Sequence, residues 1–172
     1  GFALLSALCA HALGVDSGRG LALAEQMLTT MEQLPRWNGH FYNWYHTCTL
    51  RPMPPLYVST VDSGNCAAAL LTAANALRGW GRDELAARAQ ILCDGMDFGP
   101  LYNPQRRLMH IGIDTGSGKW SESYYDLLAS EARLTSYFAV ARGDVPREHW
   151  RALSRAQVQK DHYRGCVSWS GS

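Results

Sequence analysis

Apolar residues recur at helical spacing along most of the chain. Leu4, Leu5, Leu8, Ala12 and Leu13 mark a first helix that Gly14 ends. A second carries Leu21, Leu23, Met27, Leu28, Met31 and Leu34, with Asp16 or Ser17 as its cap and Pro35 as its stop. A third, rich in Ala and Leu, is expected over 65–77, capped by Asp62 or Ser63 and broken by Gly79 and Gly81. The fourth covers 82–97 with Leu85, Ala89, Leu92 and Met96 inward. Pairs of similar length joined by loops read as helical hairpins.

The period then changes. Near-alternation over 101–113, with turn signals at Asn103-Pro104 and at Asp114-Thr-Gly-Ser-Gly118, predicts a short β-hairpin. A fifth helix over 124–141 carries Leu127, Leu128, Leu134, Phe138 and Ala139, and a short sixth follows around 147–153. The fold class this predicts is all-α with a small β-hairpin insertion.

One stretch breaks the helical rhythm without being bland. From Trp37 to Tyr45 the loop carries Trp37, Phe41, Tyr42, Trp44 and Tyr45, interleaved with His40, Asn43 and His46, and it closes through a proline-rich turn on Ser59-Thr-Val-Asp-Ser-Gly-Asn65. Large rings on a loop either pack on a core or wait for a flat ligand. Hydrogen-bonding groups between the rings favour a flat, polyhydroxylated one, which describes a sugar. The alternative is an aromatic loop packed between helices.

Composition narrows the classes. The 172 residues fit one ordinary domain or a piece of a larger one, and 47% hydrophobic content supports a core. Charged residues make up only 18%, low for a free-standing helical protein, so some surface is expected to be covered by further chain. A net charge of +1 makes no case for nucleic acid or an anionic membrane as partner. The apolar opening stops after about a dozen residues, short of the about 20 a membrane span needs, and it lacks a signal-peptide pattern. Beginning on that run without Met, the chain is expected to start inside a domain. Five scattered cysteines without a C-x-x-C pair read as reduced, mostly core residues, and the six histidines show no metal spacing. No cofactor or metal is expected.

Cleaving a glycosidic bond takes two carboxyl groups flanking it, one of them protonated. Asp62, in the polar turn at a helix start, is one candidate; its alternative is a helix cap. Glu122, Asp126 and Glu131 form a second cluster at offsets of four and five, which no single helix face can gather. Glu122 precedes the expected helix. Asp126 and Glu131 fall inside it beside apolar neighbours, where a carboxyl is paired or titrates high, with Arg133 or Arg142 as the ordinary partner. Ser63 is not in a nucleophile elbow, because Asn65 stands where a glycine is needed. Gly116-Ser-Gly118 before Lys119 is explained by a hairpin turn.

These motifs together resemble the glycoamylase-like domain of cyclic β-1,2-glucan synthases. The matching segments are Gly39-His-Phe-Tyr-Asn-Trp-Tyr45, Tyr57-Val-Ser-Thr-Val-Asp-Ser-Gly-Asn65, Ser123-Tyr-Tyr-Asp-Leu-Leu-Ala-Ser-Glu-Ala-Arg-Leu134, Gly143-Asp-Val-Pro146 with His149-Trp150, and Ser168-Trp-Ser-Gly-Ser172, in the family's order. The resemblance implies a partial (α/α)6 toroid, with residues 1–172 as roughly its N-terminal half. It implies action on β-1,2-glucan within a larger membrane-bound chain, on the cytoplasmic side of the bacterial inner membrane. Glu131 is then the expected acid and Asp62 its base or polar partner, with Asp126 and Glu122 in reserve. His40, Tyr42, Asn43, Trp44, Tyr45, Asn65, Tyr124, Tyr125 and Trp169 are the expected sugar contacts. The sequence departs from the family at His46, where an aspartate is expected. Two other readings stand beside this one: a glucan-binding or scaffolding module without chemistry, and a toroid glycosidase of another linkage preference.

Overall fold

The structure is a computed structural model that describes residues 1–15 and 18–169, with the side chain of Trp169 excepted. The expected cap at Asp16 or Ser17, the Trp169 ring and the end of the last motif at 170–172 lie outside the described residues.

Helices α1 (Phe2–Ala12) and α2 (Arg19–Gln33) form one hairpin. Helices α3 (Thr60–Gly79) and α4 (Asp83–Asp94) form a second, followed by α5 (Arg133–Arg142) and the short α6 (Arg147–Ala152). The organising element is α3, which packs on α1, α4 and α5. Its inward residues Ala67, Leu70, Ala73, Ala74 and Leu77 are buried, and they meet Leu4 and Leu8, Ala24 and Leu28, and Ala86, Ala89 and Leu92. Alanine favours the helix and its small side chain lets the neighbouring helices close in. The helix starts earlier than its apolar period suggests. Ser59 is the cap, accepting the Asp62 N–H at 3.3 Å, and the Ser63 hydroxyl donates to the Ser59 carbonyl at 2.7 Å. Asp62 and Ser63, expected as caps, are inside the first turn.

The strands are short. A turn with positive φ at Asn38 and Gly39 joins β1 (Arg36–Trp37) to β2 (His40–Phe41). A Cβ on Gly39 would overlap the Gly95 carbonyl, so the turn lies directly on the end of α4. The next strands are β3 (Tyr57–Ser59), β4 (Tyr102–Asn103), β5 (Leu108–His110), β6 (Gly112–Asp114), β7 (Lys119–Trp120) and β8 (Tyr124–Tyr125). They make two antiparallel sheets, ordered β3-β6-β7 and β4-β5-β8. Strand β9 (Ala129–Ser130) pairs in parallel with β12 (Ser168–Trp169), and β10 (Gln157–Lys160) and β11 (Tyr163–Cys166) make an exposed hairpin.

The fold is therefore mixed α and β, which overturns the all-α expectation and the partial (α/α)6 toroid that went with it. The helix expected over 124–141 begins only at Arg133. Its first half is not helical, because Tyr124 and Tyr125 pair with His110 and Met109, a setting that suits aromatic residues. Asp126 and Glu131 consequently lie outside any helix.

Candidate functional site

The start of α3, the loop after β2, the first turn of α1 and Leu134 of α5 surround a cavity of about 510 Å³. Tyr42, Asn43, Trp44, Asp62 and Asn65 form its polar wall; Phe2, Leu5, Phe41, Ala68, Ala69 and Leu134 form an apolar one. The loop is held onto β3, just ahead of α3, by its own polar groups. Asn43 donates its N–H to the Tyr57 carbonyl at 2.9 Å, and its Oδ1 accepts the Ser59 N–H at 3.3 Å. The Tyr45 hydroxyl accepts the Tyr42 N–H and donates to the Pro35 carbonyl, both at 2.8 Å. Tyr45 is thus spent on the loop's shape, whereas Trp44 remains 51% exposed at the cavity. An exposed indole beside Asn and Asp side chains is a surface on which a pyranose ring can stack while its hydroxyls find polar partners.

Asp62 is exposed in the first turn of α3, where backbone N–H groups point outward toward a negative charge. Glu131 sits in the turn just ahead of α5, one helical turn before the cavity-lining Leu134. It is exposed and is not itself a lining residue. The ion pairs among the described residues join Arg88 to Glu32 and Arg142 to Asp144, so neither Arg142 nor Arg133 is the partner expected for Glu131. The contact Glu131 makes is with the Tyr125 hydroxyl, which donates to its Oε1 at 3.5 Å. Burial pushes the Tyr125 phenol well above its ordinary range, and the charges of Glu131 and Asp62 add to that. Burial and the Asp62 charge also raise the Tyr57 phenol. The charges of Asp62 and Glu131 thus both bear on one buried tyrosine. Asp126 and Glu122 are exposed and line no part of the cavity.

Four of the expected sugar contacts are placed elsewhere, Tyr45 among them. His40 is fully buried: Nε2 donates to the Asp97 carbonyl at 2.7 Å and the ring meets Phe98 edge-on at 4.9 Å. Tyr125 is only 3% exposed. Tyr124 accepts a hydrogen bond from Asn103 Nδ2 at 3.1 Å and packs on His110, away from the cavity lining. His46 is a clamp for its own loop, its Nδ1 accepting the N–H groups of Cys48 and Thr49. The apolar wall was missed in the sequence, because Phe2, Leu5 and Leu134 look there like ordinary core positions. No group of three or more His, Cys, Asp or Glu among the described residues is arranged to hold a metal ion.

No protein-family model matches the chain. Over its whole length it is 26% identical, across 300 aligned positions, to Cyclic beta-(1,2)-glucan synthase NdvB of Rhizobium meliloti (strain 1021). The chain spans 11% of that relative, so it is related to one region of a much longer synthase. No helix among the described residues is long and apolar enough to cross a membrane.

Proposed function

We propose that the chain is a carbohydrate-processing region of a β-1,2-glucan synthase, in which the cavity beside Trp44 binds glucan and Glu131 and Asp62 carry out glycoside cleavage and transfer. The observation that carries this reading is the meeting of Trp44, Asn43, Asp62 and Asn65 on one cavity, with Glu131 three residues before its lining residue Leu134. The relative's name supports the substrate class, and its length supports a setting among other domains of a longer chain.

In this reading Glu131, as the carboxylic acid, gives its proton to the glycosidic oxygen as the bond from the anomeric carbon breaks. Its hydrogen-bond partner is a phenol and not a cation. An oxygen nucleophile forms the new bond at the anomeric carbon and loses its proton to Asp62. Water in that place gives hydrolysis, and a hydroxyl of another glucose unit gives transfer or, within one chain, ring closure.

The test is Glu131→Gln and Asp62→Asn, with chain-length analysis of products from linear β-1,2-glucan. Each is expected to lower turnover about 10²- to 10⁴-fold with binding retained. Turnover unchanged in both removes the assignment. A second reading, a glucan-binding surface without chemistry, is favoured by Glu131 lying off the cavity lining. Its outcome is tight binding by the parent protein with no product.

A further inference from the structure

Tyr125 occupies an unusual place between the two proposed catalytic carboxylates. Its ring packs with Val61 and Ala132 in a small cluster of its own, flanked by Ile111 and separate from the main core. Val61 immediately precedes Asp62, and Ala132 immediately follows Glu131. The buried ring is therefore the spacer between the backbone that bears one carboxyl and the backbone that bears the other. Strand pairing fixes the spacer from a third side, since Tyr125 lies opposite Met109 in β5. A ring this buried offers no face for a sugar to stack on, which removes the substrate-contact role expected for it.

Glu131 is the opposite case. It is exposed, it sits in a turn, and three rotatable side-chain bonds leave its carboxyl many positions. The Tyr125 hydroxyl narrows them by donating to Oε1. Burial and the nearby carboxylates keep the phenol protonated, so it remains a donor throughout the working pH range. A protonated carboxyl has one oxygen that carries the proton and one that accepts. A donor on Oε1 favours Oε2 as the proton-bearing oxygen.

We propose that Tyr125 is a positioning residue that sets the separation of Glu131 and Asp62 through its ring and directs the catalytic proton to Glu131 Oε2 through its hydroxyl. This rests on the carboxylate roles proposed above. No atom of Tyr125 needs to touch substrate.

The experiment compares Tyr125→Phe, which keeps the spacer and removes the hydroxyl, with Tyr125→Leu, which shortens the spacer, in the full chain acting on linear β-1,2-glucan. Tyr125→Phe is expected to keep the parent's thermal stability and KM while kcat falls about 10- to 100-fold, the scale of a small misplacement of a reacting group. Tyr125→Leu is expected to lose more and to shift the balance of transfer over hydrolysis. A contact readout comes from protein carrying 13C at tyrosine Cζ. The Tyr125 signal, assigned by its loss in Tyr125→Phe, is expected to step during acid titration in the parent and to step less in Glu131→Gln, where the Asp62 charge alone still bears on it. Parental kcat in Tyr125→Phe, with Glu131→Gln inactive, overturns the positioning role and leaves the glucan-processing reading intact. Full turnover in Glu131→Gln overturns both. A flat Tyr125 signal in the parent overturns the contact itself.

Discussion

Gly64 and Thr135 meet where α3 crosses α5, and there is no room at that point for a side chain on residue 64: a Cβ would overlap Thr135 Oγ1, Cβ and Cγ2. Thr135 is fully buried, and its hydroxyl donates to the Val61 carbonyl at 3.3 Å. The missing side chain lets the start of α5 approach the start of α3, and so brings Glu131 toward Asp62. Gly64→Ala is expected to cost about 1–3 kcal/mol through overpacking and to lower glucan turnover by prising the helices apart. Thr135→Ser does not rescue it, because the Thr135 Cβ is itself among the obstructing atoms. Urea titration of the two single variants and the double decides; a parental midpoint in Gly64→Ala would mean the crossing can relax freely.

Trp44→Ala is expected to weaken binding of linear β-1,2-glucan about tenfold, equivalent to ~1.4 kcal/mol, with little change in stability. The indole is half exposed at the cavity, so its loss removes a stacking face and not a core packing element. Trp80 is the control. It lies outside the cavity lining, 36% exposed and edge-on to His11 at 5.0 Å. Calorimetric titration in which Trp44→Ala and Trp80→Ala behave alike would remove Trp44 from the glucan surface.

The contrast between these positions shows what the chain's pattern reveals and what it hides. Helices with a long apolar stripe, such as α2 and α4, are legible because period alone defines them. The start of α3 is not, since Ser59 caps it from within a strand and the polar residues Thr60, Asp62, Ser63 and Asn65 precede its first long apolar run. Tyr124 and Tyr125 fit a helical count with Leu128 but are held extended by partners some fifteen residues earlier, which local spacing cannot reveal. The polar wall of the cavity comes from two contiguous stretches, 42–44 and 62–65, so its chemistry is visible in the sequence. Its apolar wall comes from α1 and α5, and only the packing of those helices on α3 creates it. His40 misleads for a related reason. The Gly39 turn lies against the end of α4, which carries His40 inside and leaves Asn43 and Trp44 outside.

Arg142 joins the end of α4 to α5 and is expected to resist even conservative replacement. Its guanidinium donates to the carbonyls of Cys93 at 2.9 Å and Met96 at 3.0 Å, capping the C-terminus of α4. It also lies over the rings of Phe138 and Phe98, at 5.5 and 5.9 Å. The Asp144 carboxylate is 3.2 Å away as an ion pair without hydrogen-bond alignment, and burial raises its pKa despite that neighbour. A lysine cannot reach both carbonyls while covering two rings. Arg142→Lys is expected to cost about 1–3 kcal/mol, mostly from helix-end carbonyls left unpaired. Hydrogen exchange should place the loss at the last turn of α4. Protection there equal to the parent's would show that the carbonyls find other donors.

Two buried histidines set the pH dependence of stability. His149 is fully buried and donates from Nδ1 to the Arg107 carbonyl at 3.2 Å, so its Nε2 must accept from the Ser136 hydroxyl at 2.9 Å. His40 donates from Nε2, and its buried Nδ1 has no partner. Burial holds both imidazoles below their ordinary value of 6.5. The Asp97 carbonyl opposes this at His40 and the Arg107 carbonyl at His149. The unfolded chain therefore binds more protons than the folded one as pH falls below about 6.5, and stability must fall with pH there. The stability is fully present above that value and is lost at up to about 1.4 kcal/mol per pH unit for each histidine, until the folded protein also takes the proton. The paired Glu32, held below its ordinary value of 4.5 by Arg88, begins to lose its contribution only at lower pH. Urea midpoints at pH 7.5, 6.5 and 5.5 should decline in the parent, and the decline should be smaller in His149→Gln. Equal midpoints across that range in the parent would mean that both imidazoles take up protons in the folded state as readily as in the unfolded chain.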